Sequence, residues 1–296
     1  MTAKAIGQTP LSVSDSPSVA TARASGAFAS PGAQPLIQAV SVGRKFESPQ
    51  GEIIAIENFN LEIMPGEFRV IVGPSGCGKT TFLRMLAGLD KPTSGALEMR
   101  TPDGRTPSNA MVFQGRSVFP WLTVEQNVGY GLKLRHVNRK QRKHETHELL
   151  TAVGLTKFAS VYPHQLSEGM KQRVAIARAL AVDPDLLLMD EPFGALDEQT
   201  RFLLQEEVLR IWERTRKTVV FITHSIDEAL TMADRIAIMS AHPGTLLADV
   251  EVPFPRPREL SAVRSDPAFA VLFNQIWELL RHEVLRARDL QEDTAL

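Results

Sequence analysis

Residues 73–81, Gly-Pro-Ser-Gly-Cys-Gly-Lys-Thr-Thr, have the composition and spacing of a phosphate cradle. Gly73, Gly76 and Gly78 let successive backbone N–H groups turn inward around anionic oxygens, and Pro74, Ser75 and Cys77 complete the loop. Lys79 supplies a cation for β- and γ-phosphates, and Thr80, followed by Thr81, offers a hydroxyl to Mg²⁺. Such a loop works only between a strand and a helix. "EFRVIVGP" before it reads as a buried strand, and "TTFLRMLAGL" after it has helical spacing. Cys77 reads as a small filler rather than a redox switch.

Three further places carry chemistry. "DLLLMDEP" puts Asp190 and Glu191 at the C-terminal end of an apolar strand, where ligands sit in open α/β sheets. An acid there can hold Mg²⁺ through water, and a neighbouring carboxylate can orient or deprotonate an attacking water. His224 ends "TVVFITH" and is the one histidine of seven to close an expected central strand, which suits contact with a γ-phosphate. "HQLSEGMKQR" looks like the mouth of a helix capped by Ser167, with Gly169 close behind. Free N–H groups and the helix dipole there favour an anion. Glu168 lies between the two, and its charge is at odds with a phosphate.

These residues need a scaffold. "PLIQAVSVGRKF" and "IAIENFNLEI" read as strands, as does "NAMVFQ". From Val124 to Leu180 helical patterns dominate. "DLLLMD" and "TVVFITH" are continuous apolar runs, the mark of central parallel strands covered on both faces. Between them "DEQTRFLLQEEVLRIWERTRK" is an amphipathic helix. Strand, helix, strand in this order predicts an α/β core with a mostly helical insertion. Asp266 as cap and Pro267 at the first position open a last helix, with Phe269, Leu272, Phe273, Ile276 and Leu280 on one face.

The chain has 296 residues, 43% of them hydrophobic and 23% charged, with a formal net charge of -1. That is ordinary for a globular protein and gives no global basic field for nucleic acid. One cysteine, Cys77, excludes a disulfide framework and a clustered-thiol zinc site. No apolar run reaches the roughly 18–20 residues needed to span a bilayer. Residues 1–35 are rich in Ala, Ser, Thr, Pro and Gly, and are expected to be a disordered tail. The basic run Lys133–Glu145 lacks interleaved aromatics and reads as a solvated helix face.

The phosphate loop, "VFQ", "LSEGMKQR", "LLLMDEPFGALD" and "ITH" occur in the order seen in ATP-binding-cassette (ABC) ATPases. The resemblance covers about residues 36–255. It implies a P-loop NTPase fold of the ABC type: a mixed sheet, an antiparallel β subdomain and a helical subdomain over about 115–180. Residues 256–296 form a helical extension. The resemblance also implies ATP and Mg²⁺ as ligands and a head-to-tail homodimer, each nucleotide lying between one copy's phosphate loop and the other's signature helix. Phe46 would stack on adenine. Gln114 would sense Mg²⁺ and the attacking water, Asp190 would partner the metal with Thr80, and Glu191 would be the base. Ser167 and Gly169 would touch the γ-phosphate held by the other copy, Asp197 would link the two sites, and His224 would contact the γ-phosphate. The family's usual signature is Leu-Ser-Gly-Gly, so Glu168 departs from it at one position.

Finer features are similar to the nitrate, sulfonate, taurine and bicarbonate importer group. They are "VFQGRSVFPWLTVEQNVGYGL", with Phe119, Pro120 and Trp121, then "SAHPG" at 240–244 and "VPFPRPREL" at 252–260. That similarity implies an integral-membrane permease as partner, and indirectly a periplasmic or lipid-anchored substrate-binding protein, with no nucleic acid. The place of work would be the cytoplasmic face of the inner membrane, as a peripheral subunit. The competing expectations are a soluble ABC ATPase acting on DNA or ribosomes, and an exporter ATPase.

Overall fold

The computed structural model describes residues 34–49, 51–115, 118–194 and 196–294. The expected tail over 1–35 lies almost wholly outside the described residues. Two sheets form the frame. β1 (Ile37–Ser48), β2 (Gly51–Ile63) and β4 (Ser94–Met99) make an antiparallel sheet in the order β2-β1-β4. β3 (Phe68–Val72), β5 (Asn109–Val112), β6 (Leu186–Asp190), β7 (Thr218–Thr223), β8 (Arg235–Met239) and β9 (Leu246–Glu251) make the second, in the order β5-β6-β7-β3-β8-β9. It is parallel except for β9, which closes the edge against β8. The mixed sheet and the separate antiparallel sheet agree with the expected fold class.

β3, β6 and β7 are buried at every position, which explains the apolar runs of β6 and β7 and leaves Arg69 of β3 as a buried charge. Their side chains alternate between two cores. Val70, Leu187 and Phe221 face a layer of helices that includes α6 (Glu198–Thr215) and α7 (Ile226–Met232). Ile71, Leu188 and Ile222 face α1 (Lys79–Leu86) and the antiparallel sheet. Arg69 fastens the two sheets together. It is 1% exposed, donates to the Glu62 carbonyl of β2 and is ion-paired to Glu67 and to Asp249 of β9.

The helical insertion contains α2 (Val124–Val128), α3 (Tyr130–Leu134), α4 (Arg139–Ala152) and α5 (Glu168–Ala181), around a small core that includes Val124, Leu132, Leu150 and Val174. A capping box starts α2: the Gln126 N–H donates to the Thr123 hydroxyl, and the Gln126 side chain accepts from the Thr123 N–H. α5 joins the insertion to the sheet, since Val174 and Ala177 pack in the small core while Ala175, Ile176 and Ala179 pack on the large one. At the C-terminal end α9 (Pro267–Thr294) opens at Pro267, as expected, and a short α8 (Leu260–Ser265), not anticipated, precedes it. Ile276 and Leu280 of α9 enter the same core as the central strands.

β4, β8, β9 and α7 are elements that pattern reading did not anticipate. β4 is mostly exposed and so lacks an apolar signature. No helix among the described residues is long and apolar enough to cross a membrane.

Candidate nucleotide site

Four strand ends build the site. β3 ends at Val72 and the chain enters the loop 73–78, with Gly76 and Gly78 at positive φ, before α1 begins at Lys79. Gly78, at φ 95°, is in the left-handed region open to glycine, and a Cβ there would lie 2.7 Å from the Ala55 carbonyl oxygen. Lys79 is buried, and its ammonium donates to the carbonyls of Gly73 and Pro74, each at 2.8 Å. The cation is thus held at the mouth of its own loop. Cys77 is buried beneath it, with Sγ 3.7 Å from Lys79 Nζ, and burial pushes its thiol pKa up. This agrees with a filler rather than a reactive thiolate.

Thr80 Oγ1 donates to Asp190 Oδ1 at 3.1 Å, so the loop's hydroxyl and the acid at the end of β6 are in contact. Burial holds the Asp190 carboxyl above the usual range; Thr80 opposes this, and Glu191 adds to it. A hydroxyl and a carboxylate, both hard oxygen donors, suit Mg²⁺, which keeps several waters and takes its other ligands from substrate phosphates. No cluster of three or more His, Cys, Asp or Glu suited to a metal occurs among the described residues, and such a Mg²⁺ site needs none.

Glu191 leaves β6 with φ 43°, uncommon for a residue with a side chain. Its N–H still donates to the Ile222 carbonyl of β7 at 3.0 Å. Its Oε2 accepts from Gln114 Nε2 at 3.0 Å and lies 3.5 Å from His224 Nδ1. Gln114 follows β5 and His224 follows β7, the strands on either side of β6. Three adjacent strand ends therefore converge on one carboxylate. Gln114 turns its amide to Glu191 rather than to the Thr80–Asp190 pair.

The remaining expected residues lie on other elements. Ser167 caps α5, accepting from the Met170 N–H at 3.3 Å. Glu168 is turned to Lys171 at 2.7 Å and is 63% exposed. Gly169 is buried against the first turn of α6, where a Cβ would lie 2.7 Å from Thr200 Cγ2. Asp197 caps α6, accepting from the Thr200 N–H at 2.9 Å, and that bond lowers its pKa. Phe46 is half-buried on β1, the central strand of the antiparallel sheet, with the Arg44 guanidinium 4.5 Å from its ring centroid.

Glu228 of α7 was not anticipated. Its Oε2 accepts from Thr223 Oγ1 at 2.6 Å, immediately before His224, and its Oε1 accepts from Gln205 of α6 at 3.2 Å. Arg201 stands 3.9 Å away and donates to the Leu196 carbonyl, next to Asp197. Burial is the main cause raising the Glu228 pKa. An acid on the apolar side of "IDEALTM", beside buried Ala229 and Leu230, is the signal that marks it.

The profile of the ABC transporter family matches residues 56–194. The nitrate import ATP-binding protein NrtD of Synechococcus elongatus is 44% identical over 247 residues, covering 81% of this chain and 89% of that protein. The bicarbonate transport ATP-binding protein CmpD of the same organism is 41% identical over 258 residues, covering 85% of this chain and 92% of that one. Among solved structures, a dimeric post-hydrolysis state of the ATP-binding cassette MJ0796 bound to ADP and Pi matches with a TM-score of 0.66 at 32% identity. It covers 74% of this chain and all of that one. With the phosphate loop, paired strand-end acids and two-sheet frame, this relatedness is decisive: the chain belongs to the ABC transporter family and is one of its ATP-binding cassette ATPases.

Proposed function

We propose that this ATPase is the energy-supplying subunit of a bacterial importer for a small anion, of the nitrate, bicarbonate, sulfonate or taurine kind. It works as a homodimer docked on a permease at the cytoplasmic face of the inner membrane. The kinship with NrtD and CmpD supports the class of solute. The observation that carries the chemistry is the convergence of Gln114 and His224 on Glu191, beside the Thr80–Asp190 contact.

In this reading the loop amides of 73–81 and Lys79 hold the ATP phosphates, and Phe46 lies against the adenine. Thr80 and Asp190 would hold Mg²⁺, with Gln114 close by; when bound, the ion neutralises charge on the phosphate oxygens. Glu191 orients a water and takes its proton, and Gln114 and His224 fix that carboxylate from either side. His224 also faces the γ-phosphate, and Ser167 and Gly169 of the second copy close the site over it. Asp197 lies at the junction of the two copies. Preorganised donors around the developing charge do most of the catalysis.

The permease contact is assigned to the aromatic group after β5. Phe119 packs on Trp121 at 5.5 Å and on Tyr130 at 4.9 Å, and Trp121 is 70% exposed. A groove lined by Tyr130, Lys133, Arg139 and Arg142 adjoins them. An exposed tryptophan near a largely basic groove, whose lining also includes Glu125, suits a docked helix with an acidic or polar end.

The decisive experiment replaces Glu191 by Gln. Hydrolysis is expected to fall at least about 100-fold, the scale of general-base catalysis. ATP is expected to shift the variant to a dimer on size exclusion. Normal turnover without a dimer would remove Glu191 from the role of base. Uptake of nitrate, bicarbonate and taurine into proteoliposomes carrying the co-purified permease then identifies the solute. Co-purification with ribosomes or DNA instead would overturn the importer.

A further inference from the structure

The loop joining β8 to β9, residues 240–245, lies directly behind the phosphate loop. A Cβ on Gly244 would lie 2.0 Å from the Cys77 carbonyl oxygen, and one on Gly73 would lie 3.0 Å from the Met239 carbonyl oxygen. On its other side Gly244 is stitched to β2: its N–H donates to the Ala55 carbonyl at 3.1 Å, and its carbonyl accepts from the Glu57 N–H at 3.0 Å. Gly78 of the phosphate loop presses on the same Ala55 carbonyl. The phosphate loop is thus wedged, with no room for an added methyl group at Gly73, Gly78 or Gly244.

The wedge has an inner tie and an outer one. Inside, Ser240 Oγ accepts from the Thr245 N–H at 2.8 Å and lies 3.0 Å from the Pro243 carbonyl. Outside, the Ala241 N–H donates to Glu283 Oε2 at 2.8 Å. Glu283 belongs to α9, 42 residues further along the chain, and is 9% exposed. It lies one turn beyond Leu280, which with Ile276 fixes α9 to the main core. A nearly buried carboxylate is costly unless its acceptors are used; here the Ala241 N–H uses Oε2, and the exposed Arg286 guanidinium stands 4.0 Å from Oε1.

We propose that Glu283 is a positioning residue for ATP binding. Through Ala241 it holds the 240–245 loop against Cys77 and so fixes the N–H groups of the phosphate loop from behind. The C-terminal helix thereby sets the geometry of the phosphate loop through the 240–245 segment. This rests on the reading of residues 73–81 as the ATP phosphate site.

The test uses the full chain with Glu283→Ala and Glu283→Gln, measuring the Kd of MgATP, KM, kcat and amide hydrogen exchange. A hydrogen bond to an ionised acceptor contributes on the order of tenfold in an equilibrium constant. Glu283→Ala is therefore expected to raise Kd and KM about tenfold, with kcat within about twofold. Glu283→Gln, which keeps an acceptor oxygen, is expected to recover most of that loss. Exchange is expected to quicken at residues 73–79 as well as at 240–245. A wild-type Kd in Glu283→Ala, quickened exchange confined to 240–245, or equal losses in both variants would each overturn the proposal. Should Glu283→Ala fail to fold, Ser240→Ala loosens the same wedge from inside and carries the same expectation and the same overturning results. If the wild-type chain itself binds no ATP, it is the phosphate-site reading that fails.

Discussion

On the proposed reading Gly169 serves two purposes. Its place in "LSEGM" implies close approach to a phosphate, yet its missing side chain is already required inside the chain, where Thr200 Cγ2 fills the space. Gly169→Ala is expected to destabilise the protein by about 1–3 kcal/mol, the usual scale of overpacking. Thr200→Ser removes the methyl group in conflict and leaves the N–H that Asp197 caps. Denaturant titration of the double variant should therefore recover at least half of the loss. Equal stability of the single and double variants would show that the contact does not matter. Glu168 is simpler. Its pair with Lys171 is largely exposed, so it contributes little, and Glu168→Gly should leave turnover within a few-fold of wild type. A large fall in an ATPase assay would make the carboxylate a working part.

Among the elements, two carboxylates leave opposite marks on stability against pH. Asp185, at the entry to β6, accepts two bonds from the Arg105 guanidinium and two from Ser108. The Arg105 bonds are the main cause holding its pKa well below the usual carboxylate range. Its stabilisation is present above that usual range and is lost as pH falls below it. Glu228 is the reverse: burial raises its pKa, so the folded state binds its proton more tightly than the unfolded chain. That contribution is complete below the usual glutamate pKa and is lost as pH rises through the raised one. Melting temperatures against pH should show Asp185→Asn flattening the acid limb. Glu228→Gln should flatten the decline just above the usual glutamate range. Parallel curves for wild type and variants would refute both assignments.

For the whole molecule, α9 shares a core with the central strands. Ile276 is 1% exposed in the cluster that holds Val70 and Phe221. Ile276→Ala is expected to cost about 2–5 kcal/mol, as for other buried large-to-small changes. Calorimetry should show one lowered transition, because the helix and the sheet unfold together. A separate early transition would mean that the C-terminal helices form an independent unit. Catalysis too belongs to an assembly on the proposed reading, since each site needs Ser167 and Gly169 from a second copy. Turnover per chain should rise steeply with protein concentration, and a strictly monomeric sample with full activity would contradict it.

Much of this protein is legible along the chain, because phosphate chemistry requires particular residues at short, fixed spacing. The loop 73–81, the acids at 190 and 191 and the histidine at 224 follow from local rules: glycines for a tight turn, and apolar runs ending in polar groups. The α/β core follows for the same reason, since a strand buried on both faces is apolar except where a charge is paired, as at Arg69. Other features rest on distant residues meeting, and no local pattern encodes them. β4 is an exposed edge partner of β1, recognisable only by what it pairs with. Gln114, Glu191 and His224 are far apart in sequence and meet because β5, β6 and β7 are neighbours in the sheet. Glu228 beside Thr223, Gly169 against Thr200 and Glu283 on Ala241 depend on how helices settle on that sheet. Sequence by itself determined which chemical groups are present and the strand ends that carry them. The tertiary structure decided which of them touch, because contact across long loops is set by sheet order and close packing.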